Sequence, residues 1–81
     1  MTIREISQYD TVYCTVLYRN AAKGFSSLKI DGMTENPFVI MYDGYLPKDT
    51  KIMGTVAKIS DDGGYVRVRL DSVLNAGSSA A

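Results

Sequence analysis

The sequence contains no histidine, and Cys14 is its only cysteine. A single cysteine cannot form a disulfide within the chain, and zinc sites are usually built from cysteine and histidine ligands. Without histidine, the usual base that activates a serine or cysteine nucleophile is missing as well. We therefore expect a non-enzymatic protein that uses no metal and no cofactor.

The chain also lacks a net charge, because nine basic residues balance nine acidic ones. Tight nucleic-acid binders usually carry a basic excess, although charge balance still allows a local basic patch. Weak repulsion between molecules favours self-association. No run approaches the roughly 20 apolar residues of a membrane span, and the N-terminus lacks the apolar stretch of a signal peptide. We expect a cytoplasmic protein with no membrane partner. The cytoplasm is that of its own cell or that of an infected host.

Segments rich in β-branched and aromatic residues alternate with turn residues along the chain. They are residues 11–18, 25–30, 37–42, 51–60 and 65–70. No window has a helical period, and at most a turn or short helix is expected at 6–10 or 71–75. This pattern predicts one all-β domain over residues 1–74, either a five-stranded antiparallel meander or a small barrel of SH3-like or OB-like size. Residues 75–81 are small and polar, which predicts a flexible tail.

Three Asp-Gly dipeptides, beginning at Asp31, Asp43 and Asp62, each favour a type I′ hairpin turn. A turn at Asp43-Gly44 would place Tyr42 opposite Tyr45 and Met41 opposite Leu46. The adjacent carboxylates of Asp61 and Asp62 are then turn residues and not a cation site, because a calcium loop needs several more oxygen ligands.

The last hairpin has a register that can be derived from its two faces. A turn at Asp62-Gly63 pairs Ile59 with Val66, Lys58 with Arg67 and Ala57 with Val68. Ala57, Ile59, Val66 and Val68 then share the core face, and Val56 lies on the open face. A turn shifted by one residue would bury the carboxylate of Asp61, which is costly. Gly54 lies inside the preceding strand and predicts a bulge or bend.

The open face of this hairpin is the first candidate binding site. It carries Lys58, Tyr65, Arg67 and Arg69. Basic side chains interleaved with an aromatic ring suit single-stranded nucleic acid, but they also suit an acidic protein surface or an ordinary solvated sheet face. Lys58 opposite Arg67 is a like-charge pair, which a bound anion or an acid such as Asp71 or Glu35 would relieve.

Tyrosines form the second candidate surface, because the sequence has six of them and a small core cannot bury them all. Tyr13, Leu17, Tyr42 and Tyr45 are the candidate interface residues. In the first strand, alternation places Val12, Cys14, Val16 and Tyr18 on one face and Tyr13 and Leu17 on the other. Both faces are apolar, which is typical of a strand that is covered on two sides, here by this chain or by a second subunit. Cys14 is expected to be a buried, inert thiol.

Residues 46–70 resemble the opening strand pair of S1-type and TRAM-type OB domains. The matching positions are a proline-marked entry followed by Gly54, Val56, the glycine turn at 63–64, Tyr65 and Val66. The resemblance covers about a third of the chain and implies nucleic-acid binding through Tyr65 and its neighbours. It departs from the family because the S1 pattern needs three more strands after this pair.

Two binding functions remain open from the sequence, while an enzyme would have to complete its active site with groups from a second subunit. The first is a small β-barrel binding or assembly protein, possible in phages or mobile elements, that self-associates into a homo-oligomer and occupies or sequesters a protein partner. The alternative is a binder of single-stranded nucleic acid or nucleotides that uses the Lys58, Tyr65, Arg67 and Arg69 face.

Overall fold

The structure, a computed structural model, describes residues 2–42 and 46–75. They form a short 3₁₀ helix, Ile3–Glu5, and five strands: β1 Thr11–Asn20, β2 Phe25–Ile30, β3 Phe38–Met41, β4 Lys51–Ile59 and β5 Tyr65–Asn75. All five predicted strands are present. Residues 71–75 are not a turn or helix but continue β5, because they pair with the start of β4. The predicted tail otherwise lies outside the described residues, and no helix in the described part is long and apolar enough to cross a membrane.

The strands close into a barrel in the order β1-β2-β3-β5-β4. Neighbouring strands are antiparallel, except that β3 and β5 run parallel. The prediction of a small five-stranded all-β barrel is therefore confirmed, and the meander is excluded because β3 and β4 are not neighbours. This strand order with one parallel pair is that of the five-stranded Greek-key barrel known as the OB-fold.

Among the residues that the structure describes, β3 pairs with β2 and β5 and not with β4. Met41 lies opposite Ser26 of β2. The predicted turn and Tyr45 belong to residues 43–45, which lie outside the described residues. Local alternation and turn residues cannot distinguish a hairpin from a crossover, because the partner of a strand depends on distant segments.

The hairpin of β4 and β5 follows the predicted register near its turn and departs from it further along. Lys58 pairs with Arg67 as predicted, but a β-bulge at Ala57 makes Val56 the partner of Val68. Val56 is therefore buried and Ala57 is not, so the predicted positions of these two side chains are wrong. A bulge inserts one extra residue into a strand, and here the insertion places the larger side chain in the core.

The turn between β4 and β5 is built by hydrogen bonds around Asp62. The N–H of Gly63 donates to the carbonyl oxygen of Ser60 at 2.9 Å, and Asp62 Oδ1 accepts from the N–H of Gly64 and from Ser60 Oγ. Only Gly63 has a positive φ, so the turn is not type I′, and the same holds at residues 31–32. The hydrogen bonds from Gly64 and Ser60 lower the pKa of Asp62. As predicted, this carboxylate is part of the turn.

The barrel interior is filled by aliphatic and sulfur-containing side chains. The buried cluster consists of Ile6, Val12, Cys14, Val16, Leu28, Ile30, Met33, Val39, Met41, Ile52, Val56, Val66 and Val68. Among the residues that the structure describes, no aromatic ring belongs to this cluster. Burial, with a smaller contribution from the charge of Asp31, raises the pKa of Cys14 from 9.0 to about 12, in agreement with the predicted inert thiol.

Gly54 marks the predicted irregularity of β4, because the register with β5 shifts between Met53 and Gly54. A Cβ atom on Gly54 would lie 2.5 Å from Val68 Cγ1 and 2.7 Å from the carbonyl oxygen of Arg69. The backbones of β4 and β5 therefore approach so closely here that only glycine fits.

Candidate binding site on the outer face of the barrel

Side chains on a strand alternate between two faces, so the residues between the core positions of β2, β3 and β5 point outward. We use the name aromatic–basic face for these outward residues together with Lys58 of β4. They are Phe25, Ser27 and Lys29 on β2, Phe38, Ile40 and Tyr42 at β3, and Tyr65, Arg67 and Arg69 on β5.

The structure brings the predicted basic stripe together on this face. Lys58 lies opposite Arg67, and Arg69 is two residues further along β5. The parallel pairing places Phe38 beside Tyr65 and Ile40 beside Arg67. The stripe is thus one half of a larger surface, whose other half is supplied by β2 and β3.

The aromatic rings form a layer outside the barrel. Phe25 meets Phe38 edge-to-face with ring centroids 5.7 Å apart, and the ring of Tyr65 lies 6.3 Å from that of Phe38. Phe25 and Ile40 are only 8% and 3% exposed although they do not belong to the interior cluster. Since Ile40 lies between the strand positions of the two phenylalanines, the rings close over it. The outer face therefore has a small apolar core of its own.

Phe38 and Tyr42 remain accessible at the top of this layer, with exposed fractions of 45% and 48%. The guanidinium of Arg67 lies 5.1 Å from the centroid of the Tyr42 ring. A guanidinium stacked on a ring keeps its N–H edge free, and this edge can donate two hydrogen bonds to a phosphate or carboxylate.

A shallow depression of about 150 Å³ opens beside this stacked pair. It is lined by Tyr42, Ala57, Arg67, Val68 and Arg69. The bulge turns the small side chain of Ala57 toward this surface and leaves room between the two arginines. The charged residues that line the depression are therefore both cations.

The aromatic–basic face carries four basic residues although the whole chain is neutral. They are Lys29, Lys58, Arg67 and Arg69, and the one acid within strands β2 to β5 is Asp71. Asp71 lies 3.8 Å from Arg69, and Glu35 accepts a hydrogen bond from the N–H of Ile3. Within residues 2–42 and 46–75, neither Lys58 nor Arg67 has an ion-pair partner, so both charges are available to a ligand.

The predicted interface residues do not form a single surface. Tyr42 belongs to the aromatic–basic face, whereas Tyr13 is exposed on β1 and pairs with Met53 of β4. Tyr45 lies outside the described residues. A register shift between Val16 and Tyr18 leaves both Leu17 and Tyr18 exposed, so the prediction that Tyr18 shares the face of Cys14 and Val16 is wrong. The described residues leave the outer side of β1 exposed at these positions.

The sequence interpretation missed the contribution of the phenylalanines. The signal was the alternation in residues 38–42, which separates Phe38, Ile40 and Tyr42 from the buried Val39 and Met41. Phe25 could be placed beside them only once the pairing of β2 with β3 was known.

Comparisons with protein-family models, curated proteins and solved structures return no match to this chain. The segment that resembles an S1-type opening pair, residues 46–70, contributes β4 and the first part of β5, the last two strands of the barrel. Its role in the fold therefore differs from the one that the resemblance implies. In the described ranges, no group of three or more His, Cys, Asp or Glu side chains is placed to hold a metal ion.

Proposed function

We propose that this protein is a non-catalytic, cytoplasmic binder of single-stranded nucleic acid and that the aromatic–basic face is its binding surface. One observation carries the proposal: the accessible rings lie on the same side of the barrel as Lys58 and Arg67, which have no ion-pair partner among the described residues. Proteins that bind single strands combine a basic track for the backbone with aromatic side chains on which bases stack. Both parts are present here within three neighbouring strands.

In this proposal two groups of side chains have separate roles, one in stacking on bases and one in binding a phosphate. Phe38, Tyr42 and Tyr65 offer ring surfaces for unstacked bases. Arg67 and Arg69 flank the depression at Ala57 and hold a backbone phosphate there. A duplex keeps its bases stacked inside, so rings on a convex surface favour single strands.

The barrel class supports the same surface by analogy. OB-folds commonly bind oligonucleotides on the face of strands 2 and 3, and here β2 and β3 supply Phe25, Lys29 and Phe38. A fold alone does not define a function, so the weight of the proposal rests on the rings and cations themselves.

The proposal is tested by measuring the affinity for a fluorescent single-stranded oligonucleotide at several salt concentrations. Each phosphate contact contributes about 0.7 to the slope of log K against log salt for a single strand. Replacing both arginines, Arg67→Ala with Arg69→Ala, is expected to weaken binding and to reduce that slope by about 1.4. A matched control is Lys48→Ala, which removes an exposed charge between β3 and β4.

Wild-type protein that shows no salt-sensitive binding to any oligonucleotide would refute the proposal. So would a double-arginine variant that binds like the Lys48→Ala control. An equal affinity for duplex and single strand would argue against the stacking role of the rings.

Self-association is the second candidate function, and a different surface favours it. Val73 and Leu74 near the end of β5 are 46% and 52% exposed, and Tyr13 is exposed on β1. Exposed apolar side chains of this kind suit a contact between copies of the chain. Light scattering tests the idea, since a molar mass that stays at one chain over a wide concentration range excludes a stable oligomer.

A further inference from the structure

A second cavity, of about 230 Å³, opens on the outer surface of β2. The residues that decide its chemistry are Leu17, Ser27, Lys29, Glu35, Asn36 and Pro37. We call it the β2 cleft. It is larger than the depression between the arginines. Its lining contains apolar, polar and oppositely charged residues, whereas the charged residues of the depression are both arginines.

The β2 cleft owes its shape to the irregular register of β1. The shift between Val16 and Tyr18 sets Leu17 outside the regular pairing with β2, and its exposed side chain becomes one wall. Bulges often lie next to binding sites because they redirect a side chain. The phosphate depression arises in the same way, from the bulge at Ala57.

The cleft continues the aromatic–basic face. Pro37 directly precedes Phe38, and Lys29 and Phe38 are the next positions beyond the paired residues Leu28 and Val39. From β5 to β2 there are two interstrand steps, or roughly 10 Å. A stacked single strand rising about 3.4 Å per nucleotide crosses this distance in about three nucleotides. A strand held at Arg67 therefore reaches the cleft.

The charges of the cleft favour a neutral group over a phosphate. Lys29 and Glu35 offset each other, whereas the depression contains two arginines and no acid among its lining residues. Leu17 and Pro37 offer apolar contact, and the side chains of Ser27 and Asn36 can donate and accept hydrogen bonds. A nucleobase is a planar ring with polar edges, and it fits this combination of side chains.

We infer that the β2 cleft binds one nucleobase of the bound strand and selects for an exocyclic amino group. This inference rests on the proposed function. Glu35 Oε1 accepts from the N–H of Ile3 at 2.6 Å, but a carboxylate has a second oxygen with free lone pairs. Glutamate accepts from the amino group of cytosine, and asparagine recognises adenine through its amino edge. Thymine and uracil have no exocyclic amino group and cannot make these two contacts. Their one ring donor, N3–H, is flanked by two carbonyl oxygens that repel a carboxylate, so Glu35 disfavours them.

The experiment compares the affinities for oligo-dC, oligo-dA and oligo-dT of equal length at one salt concentration. Wild type is expected to bind the dC and dA strands about tenfold more tightly than dT, since a good base contact contributes 1–3 kcal/mol. Asn36→Ala and Glu35→Gln should each lower the ratio toward one while affinity for dT stays unchanged. Asn75→Ala removes the same side chain as the first variant from the far end of β5 and should keep the wild-type ratio.

The outcomes separate this inference from the proposed function. Salt-sensitive binding with equal affinity for all three strands, or a preference that both cleft variants retain, overturns the inference and leaves the proposed function standing. Failure to bind any of the strands overturns both. Amide chemical shifts of Ser27 and Lys29 that change with oligo-dC and also change equally with oligo-dT would contradict selection at the cleft.

Discussion

The two sides of the same strands have opposite compositions. Inside the barrel, β3 and β5 contribute Val39 and Val66, and no ring enters the described core. Outside, the neighbouring residues Phe38 and Tyr65 belong to an aromatic layer. A five-stranded barrel has a narrow interior that branched aliphatic side chains can fill. Because side chains alternate along a strand, the inward residues pack the core and determine stability, whereas the outward residues can contact a partner.

The largest effect is expected for a truncation inside the barrel, which tests the stability half of this comparison. Ile52 is fully buried, and Ile52→Ala should lower the free energy of unfolding by about 2–5 kcal/mol, because it removes apolar contacts and leaves a cavity. Chemical denaturation measures the change. The affinity of the remaining folded molecules for an oligonucleotide should stay unchanged, and a loss confined to affinity would contradict the division of roles.

A smaller loss is expected where the two strand backbones meet. Gly54→Ala introduces a Cβ atom that collides with Val68 and with the carbonyl oxygen of Arg69, so we expect a destabilisation of about 1–3 kcal/mol. Thermal unfolding measures it. Because Arg69 also belongs to the proposed binding site, this variant shows how strongly the packing of the interior supports the outer face. An unchanged melting temperature would mean that β4 and β5 separate here without cost.

Truncation of an outer ring should have the opposite effect to that expected for Ile52→Ala, because affinity should fall more than stability. Phe38→Ala removes an accessible stacking platform, and affinity for a single strand should fall by about 1–3 kcal/mol. Its edge-to-face contact with Phe25 contributes about 0.5–1.5 kcal/mol to folding, so some stability is lost as well. Anisotropy titration and denaturation on the same sample give both numbers. A variant that loses stability but binds normally would break the comparison.

The last prediction concerns the pH dependence of stability, an effect that is absent at neutral pH and appears only above pH 9. An unperturbed cysteine thiol has a pKa of 9.0, and in the folded barrel the pKa of Cys14 is about 12. Between these values the unfolded chain releases the thiol proton and the folded chain keeps it. The unfolded state therefore binds fewer protons, and stability should fall as the pH rises above 9. Cys14→Ala should weaken this fall, while parallel stability curves for the two proteins would contradict a buried neutral thiol.

Local chemistry predicts part of this fold well. The bounds 25–30 of β2, the pairing of Lys58 with Arg67 and the irregularity at Gly54 all follow from alternation and turn residues. The bulges at Leu17 and Ala57 were not predicted, because a bulge leaves the amino-acid composition of a strand unchanged and shifts only which residues pair across the two strands. Both candidate cavities lie at these bulges, so the finer geometry of the site was not accessible from the sequence. The basic stripe was predicted, but the phenylalanines beside it required the long-range pairing of β2, β3 and β5.

The parallel contact between β3 and β5 also has a consequence for the order of folding. β3 is synthesised well before β5, so Phe38 gains Tyr65 as a neighbour only after the C-terminal hairpin exists. Pairings between distant segments form slowly because the intervening loop must close first. An incomplete chain could already contain the β1–β2 hairpin, but it would still lack half of the stacking surface. Affinity for a single strand would then report the final closure of the barrel during refolding.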